Sequence, residues 1–231
     1  AAAPEGAGDG VTVGAADTAA YFPLLRGRRV AVLANQTSRV GDEHLVDLLH
    51  RSGVRLTAIF SPEHGFRGTA DAGEHVASSV DERTGVLIRS LYDGRTRRPS
   101  DEAMRSFDVL LVDMQDVGLR FYTYYISMLR MMDACADFGR AVVVLDRPNP
   151  NGSYIDGPVL DMKYKSGVGA LPIPVVHGLT MGEIARMAVG EGWAKPCDLT
   201  VVPCRRYTHA TRYELPVAPS PNLPTQRAVY L

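Results

Sequence analysis

Asp108-Val109-Leu110-Leu111-Val112 runs straight into Asp113-Met114-Gln115-Asp116-Val117-Gly118, and the chain then continues through Phe121 to Phe138 and Gly139 into Arg140-Ala141-Val142-Val143-Val144-Leu145. The two outer runs are continuous in Val and Leu instead of alternating with polar residues, the pattern of strands buried on both faces. The stretch between them is apolar nearly all round, as a helix packed against a sheet should be, and Gly139 is a natural left-handed stop. Strand, helix and strand in that order make a parallel crossover. The same order recurs upstream, where Arg28 to Ala34 reads as a buried strand, Leu45, Leu48 and Leu49 fall at helical spacing before Gly53, and Val54 to Phe60 is apolar again. Gly85 to Leu91 predicts a further strand, Asp101 to Phe107 a short helix, and Leu199 to Val202 a last strand. Thr180-Met181-Gly182-Glu183 has capping-box spacing and predicts a helix running to about Gly190. The fold class that follows is α/β, a doubly wound, mostly parallel sheet.

Nucleotides are the default ligands of that architecture, but this one is Rossmann-like without a dinucleotide fingerprint. The turn after the first strand, Asn35-Gln36-Thr37-Ser38-Arg39-Val40-Gly41, lacks the glycines that let a backbone approach pyrophosphate, and neither G-x-G-x-x-G nor G-x-x-x-x-G-K-[ST] occurs. No cofactor is expected. With 25 basic against 26 acidic residues in 231, the net charge of −1 gives no field that would gather nucleic acid, so no nucleic-acid partner is expected either. No apolar run approaches the length of a membrane span. Residues 1–20 begin with Ala1 and are rich in Ala and Gly, which reads as a flexible tail, the spacer left behind an export signal; a periplasmic or extracellular location is the expectation. Residues 21–215 read as one Rossmann-like domain and the proline-rich 216–231 as an extended linker. Cys135 falls in a helical pattern, and Cys197 and Cys204 flank a strand whose ends lie about 20 Å apart, so free thiols are expected. No Cys/His spacing suits zinc.

Ligands of doubly wound sheets bind beyond the carboxyl ends of the strands. Four runs here end in chemically capable groups: Asn35, Glu63 with His64, Asp113 with Asp116, and Asp146 with Arg147. In Ser61-Pro62-Glu63-His64-Gly65-Phe66-Arg67-Gly68 the proline ends the strand, and Glu63 becomes the first candidate for an acid. Glu63 with Asp113, Asp116 or Asp146 supplies the two carboxyl groups that glycoside hydrolysis needs. Against that, Asp113 and Asp146 equally suit helix caps or ion pairs to Arg120 and Arg147. The spacing of Asp113 and Asp116 also fits Mg²⁺, but it is common in plain loops and no metal is assigned. Arg67, Arg120 and Arg147 suit bidentate capture of a substrate carboxylate. Of Tyr122, Tyr124 and Tyr125, one is expected to meet the ligand and the others to pack. His64 would orient Glu63 or bind substrate, His177 would line the cleft or cap the following helix, and His44 and His50 read as surface residues.

Five motifs in order, Asn35-Gln36-Thr37-Ser38, Ser61-Pro62-Glu63-His64-Gly65, Asp113 through Tyr124, Leu145-Asp146-Arg147-Pro148-Asn149-Pro150 and Pro219-Ser220-Pro221-Asn222, closely resemble the bacterial exo-β-N-acetylmuramidase family. The resemblance implies a peptidoglycan-recycling glycosidase that removes N-acetylmuramic acid from the non-reducing end of cell-wall fragments. It also implies a smaller auxiliary domain beyond the segment that ends at Tyr230-Leu231. The family's catalytic glutamate maps to Glu63. The second group is then Asp113, Asp116 or Asp146 as base or nucleophile, or the substrate's own acetamido group oriented by an aspartate or Tyr122. Asn35, His64, Arg67, Gln115, Arg120, Asp146, Arg147, Asn149 and His177 fall to substrate binding, with Arg67 or Arg120 for the lactyl carboxylate. A catalytically incomplete domain that binds muropeptides is the alternative, of a different class.

Overall fold

A computed structural model describes residues 10–62, 67, 79–89, 91 and 98–230. The strands are Val30–Ala34 (β1), Arg39–Val40 (β2), Glu43–His44 (β3), Leu56–Phe60 (β4), Ser79–Val80 (β5), Leu87–Arg89 (β6), Val109–Asp113 (β7), Ala141–Leu145 (β8) and Leu199–Val202 (β9). The α-helices are Thr18–Leu25 (α1), Leu45–Arg51 (α2), Asp101–Arg105 (α3), Tyr124–Phe138 (α4), Met181–Gly190 (α5) and Gln226–Val229 (α6). Among the described residues seven strands form one sheet in the order β5-β6-β4-β1-β7-β8-β9, while β2 and β3 pair as a separate antiparallel hairpin. Every neighbouring pair in the large sheet is parallel except β5 with β6.

The two-residue period of the strands divides the core in two. Ala31, Leu33, Leu110, Val112, Val142 and Val144 point to the face covered by α3, α4 and α5, and Val30, Val32, Val109, Leu111 and Val143 to the face covered by α1 and α2. All five positions of β1, β7 and β8 are buried, which is why those runs carry no polar alternation. The order of the sheet reverses at β1, which has β4 on one side and β7 on the other. Loops leaving β1 and β7 therefore part to opposite faces and open a crevice between their carboxyl ends.

The helix ends follow the local chemistry read from the sequence. Gly139 closes α4 in the left-handed conformation at φ 63°, and Thr180 and Glu183 form both bonds of the capping box that opens α5. The expected start of α4 at Phe121 needs correction to Tyr124. Leu119 bridges Val176 and the Arg120 N–H donates to the Val175 carbonyl at 2.8 Å, so the backbone before Tyr124 is drawn sideways into non-helical pairing. No helix among the described residues is long and apolar enough to cross a membrane.

Both expected chain ends also need correction. Of the residues read as a flexible tail, Thr12 bridges Arg205, Ala15 is fully buried, and α1 lays Tyr21 into the core with its hydroxyl donating to the Ala15 carbonyl at 2.7 Å. Gly14 makes this possible: its N–H donates to the Asp146 carbonyl, and the site of an added Cβ lies 2.6 Å from the Asp146 nitrogen. At the other end, the segment read as a linker folds back onto the body, with Val229 buried and its carbonyl accepting from Asn151 Nδ2 at 2.8 Å. Its prolines stop it from joining the sheet, not from packing.

Gly14→Ala should push backbone against backbone at the carboxyl ends of β8 and β9. Urea unfolding is expected to show a loss of about 1–3 kcal/mol, the usual cost of overpacking; an unchanged midpoint would mean that the segment is not packed there.

Candidate active site

Asn35 follows β1 and is fully buried; its Oδ1 accepts from the Thr37 N–H at 2.9 Å, a local turn that directs the chain off the strand. The Thr37 hydroxyl accepts from the Gln115 N–H at 2.9 Å, and the Ser38 hydroxyl donates to the Asp113 carbonyl while accepting from the Asn35 N–H. The loops after β1 and β7 are thus sewn together by short hydroxyl side chains. Gln115 then donates to the carbonyls of Asp116 and Pro148, each at 2.7 Å, which ties in the loop after β8. Asn149 receives the turn at Gly118 (φ 84°): any Cβ there would strike the Asn149 amide, so only glycine fits.

At the centre of these loops Asp116 is buried, with Oδ2 accepting from the Gly118 N–H at 2.8 Å. His177 faces it from the segment before α5. Its Nδ1 accepts from the Leu179 N–H at 3.0 Å, which leaves the ring proton on Nε2, 3.6 Å from Asp116 Oδ2. Besides Gln36 Oε1, four buried side-chain atoms in these loops have no hydrogen-bond partner among the described residues: Asn35 Nδ2, Gln115 Oε1, Asp116 Oδ1 and His177 Nε2. Two are donors and two acceptors, and buried polar groups left this way are costly unless something completes them. Tyr122 stands beside Asp116; burial first, then Tyr124 and Asp116, push its phenol well above the ordinary value, so it is a neutral donor. Its hydroxyl donates to the Pro219 carbonyl at 2.8 Å, joined there by Tyr124 at 3.3 Å and Gln36 at 3.1 Å.

Other predicted residues have structural employment. Arg147 forks onto Asp113, with Nη2 to Oδ2 at 2.9 Å and both side chains sealed from water, so the ion-pair reading holds for this pair and neither group is free for substrate. Asp146 caps α5: its carboxylate accepts from the Thr180 hydroxyl at 2.7 Å and the Gly182 N–H at 2.9 Å, and burial nevertheless pushes its pKa up to about 6. The bridge from Asp146 or Asp113 to Arg120 is replaced by two backbone acceptors, since Arg120 Nη1 donates to the carbonyls of Pro158 and Ile173. Arg67 is clasped by Asp47 and Asp81, so its charge is met within the protein. His44 is not a surface residue: it is buried, N-caps α2 through Nδ1 and places Nε2 2.8 Å from the Asn35 carbonyl, with burial depressing its pKa. Glu63 and His64 lie outside the described residues; Pro62, buried at the carboxyl end of β4, is the described neighbour before them. Among the described residues no three His, Cys, Asp or Glu side chains are grouped to hold a metal.

Sequence reasoning missed Gln36, Thr37, Ser38 and the Pro219 carbonyl as parts of the site. It also missed a cleft of about 490 Å³ beside the crevice, lined by Gln36, Arg39, Glu43, Asp47, Arg67 and Arg83 among others. The polar run after β1 was the available signal for the first group. The cleft had none, because its lining comes from the β2–β3 hairpin, α2 and two distant loops.

Comparison with known proteins agrees with this architecture. The sequence profile described as "Exo-beta-N-acetylmuramidase NamZ, N-terminal" matches residues 30–227. The chain is 42% identical over 218 residues to the peptidoglycan beta-N-acetylmuramidase NamZ of Bacillus subtilis (strain 168), covering 91% of this chain and 52% of that protein. Two crystal structures of DUF1343 family proteins from Bacteroides fragilis NCTC 9343 superpose with TM-scores of 0.87 and 0.85, at 55% and 35% identity. They cover 96% and 95% of this chain, and 59% and 57% of theirs. The chain therefore spans about half the length of the curated relative it matches.

Two stability predictions follow from the geometry. Arg147→Met leaves Asp113 buried and alone and should cost about 3–5 kcal/mol in urea unfolding, whereas Asp113→Leu with Arg147→Met should recover much of that loss; equal costs would mean that no uncompensated charge remains in the single variant. For Asp146 the fold holds the proton more tightly than the unfolded chain, whose carboxyl titrates near 4. Its contribution therefore favours the fold below about pH 4 and is lost as pH rises through about 6. Asp146→Asn should remove a fall of about 3 kcal/mol in unfolding free energy across that window, and identical pH slopes for both proteins would refute the raised pKa.

Proposed function

The chain belongs to the family of the exo-beta-N-acetylmuramidase NamZ, N-terminal, and from that premise we propose that it forms the catalytic part of an exo-acting glycoside hydrolase. Its substrate is a peptidoglycan fragment, from whose non-reducing end it releases N-acetylmuramic acid. The observation that carries this reading is the set of four buried, unpartnered polar atoms around Asp116 and His177 at the switch point of the sheet. Two donors and two acceptors suit a sugar, whose hydroxyl and acetamido groups offer both. Peptidoglycan lies outside the cytoplasmic membrane, so the same reading takes the chain to be exported.

In this mechanism Glu63 is the general acid that protonates the leaving glycosidic oxygen. Asp116 is the second carboxylate. Asp113 and Asp146 are already held by Arg147 and by the start of α5, whereas Asp116 keeps Oδ1 unpartnered and is aimed by the Gly118 N–H. His177 faces Asp116 from the other side at 3.6 Å, its ring oriented by the Leu179 N–H, which donates to Nδ1. Tyr122 gives its hydroxyl proton to the Pro219 carbonyl, and its oxygen lone pairs are left to accept from the sugar and orient it. Both carboxyl groups act on one bond, the arrangement that an oxocarbenium-like transition state requires.

Glu63→Gln in the full-length enzyme should lower kcat on a chromogenic N-acetylmuramic acid glycoside by about 10²–10⁴-fold with the melting temperature unchanged, and Asp116→Asn by a similar factor. A wild-type rate in Glu63→Gln removes Glu63 as the acid. Binding of a muramyl-glucosamine disaccharide by calorimetry without any turnover in the unmodified enzyme would favour a binding domain instead.

A further inference from the structure

A muramic acid differs from a plain N-acetylglucosamine by the lactyl ether on O3, which ends in a carboxylate. An enzyme selective for it needs a fixed cation near the crevice with hydrogen bonds to spare. Most arginines around this site have none. Arg147 is sealed against Asp113, Arg67 is shared by Asp47 and Asp81, Arg83 leans on Asp47, and Arg120 is turned to two backbone carbonyls.

Arg39 is different. Among the described residues it makes no ion pair, and its guanidinium donates only to the backbone carbonyl of Asp42. Its backbone is held on three sides: the N–H donates to the Thr37 carbonyl at 2.8 Å, the carbonyl accepts from Arg147 Nη2 at 2.8 Å, and the residue pairs with His44 across the hairpin. It lines the cleft of about 490 Å³, ample for a sugar substituent. Gln36 joins that cleft to the crevice, since it lines the one and reaches the Pro219 carbonyl in the other, with its Oε1 buried and unpartnered. Of the acids on the rim, Glu43 is taken by Arg51 and Asp47 by Arg67, which leaves the exposed Asp42 as the nearest competing carboxylate in sequence.

Building on the muramidase reading, we propose that this cleft is the subsite for the lactyl group and that the Arg39 guanidinium binds its carboxylate and sets the preference for muramic acid over N-acetylglucosamine. The fork of arginine matches a carboxylate in two places, so the fixed backbone of Arg39 makes the subsite selective for shape as well as charge.

Calorimetry on full-length Glu63→Gln, which holds substrate without turning it over, tests this with two disaccharides: muramyl-glucosamine and its counterpart lacking the lactyl group, chitobiose. With Arg39 intact the muramyl sugar should bind about 10–100-fold more tightly, the usual range for a hydrogen-bonded charge. Adding Arg39→Met should erase that preference with chitobiose binding unchanged, and Arg39→Lys should keep part of it. A preference that survives in both Arg39 variants, or one that is absent with Arg39 in place, overturns the proposal while leaving the hydrolase intact. If neither disaccharide binds, the muramidase reading itself fails and the subsite falls with it.

Discussion

The Asp113 carboxylate and the Arg147 guanidinium meet in the interior at the ends of β7 and β8, where neither side chain sees appreciable solvent. Taking two charges out of water costs several kcal/mol each, and their attraction offsets that only when the remaining protons and lone pairs are also satisfied. Here they are. The fork of Arg147 spends its third bond on the Arg39 carbonyl, and the Asp113 backbone carbonyl takes the Ser38 hydroxyl. One pair thereby fixes the loop after β1, the β2–β3 hairpin and the carboxyl ends of β7 and β8. Tyr21 of α1 lies within the field of the same pair, and burial together with Asp113 drives its phenol upward, so it stays a neutral donor to Ala15. The N-terminal segment is thus fastened over the same interior charges as the loops of the site.

That frame explains why the polar atoms of the crevice divide so sharply into committed and uncommitted. Asn149, Asn151 and Asp146 have backbone or hydroxyl partners that position turns and helix starts. Asn35, Gln115, Asp116 and His177 each use one end of the side chain for the same purpose and leave the other end unsatisfied in the interior. A polar group with one end fixed by the backbone cannot rotate to relieve itself. Such groups keep a fixed direction, the geometry that preorganisation requires.

Much of this was legible in the chain, because the central strands are buried on both faces and continuous apolar runs, mostly Val and Leu, fill that role. The runs at β1, β7 and β8, the left-handed stop at Gly139 and the capping box at Thr180 are all local signals, and local signals survive folding. The convergence of the loops after β1, β7 and β8 was legible too, because topology alone brings those strand ends together. What was hidden depends on partners distant in sequence. Whether an aspartate is free or spent rests on which distant donor reaches it, Arg147 for Asp113 and the start of α5 for Asp146, so Asp113, Asp116 and Asp146 look alike in sequence and differ completely in the fold. His44 looked like a surface residue for a related reason: its burial comes from the turn after β1 lying over it, not from its own helix.

The roof of the crevice extends the same reasoning to the end of the chain. Pro219 has no N–H to give, and neither does Pro221, so this stretch cannot add to a ladder and must be held by its carbonyls. The Pro219 carbonyl accepts from Tyr122, Tyr124 and Gln36, the last of them 183 positions away in the chain. Two lone pairs cannot serve three donors equally, and Tyr124 at 3.3 Å is the weakest of them. The carboxyl ends of β7 and β8 are thus a rigid floor fixed by a buried ion pair, while the Pro219 carbonyl hangs on two part-buried bonds and one longer buried one. Bonds of that kind open at far lower free energy than the core.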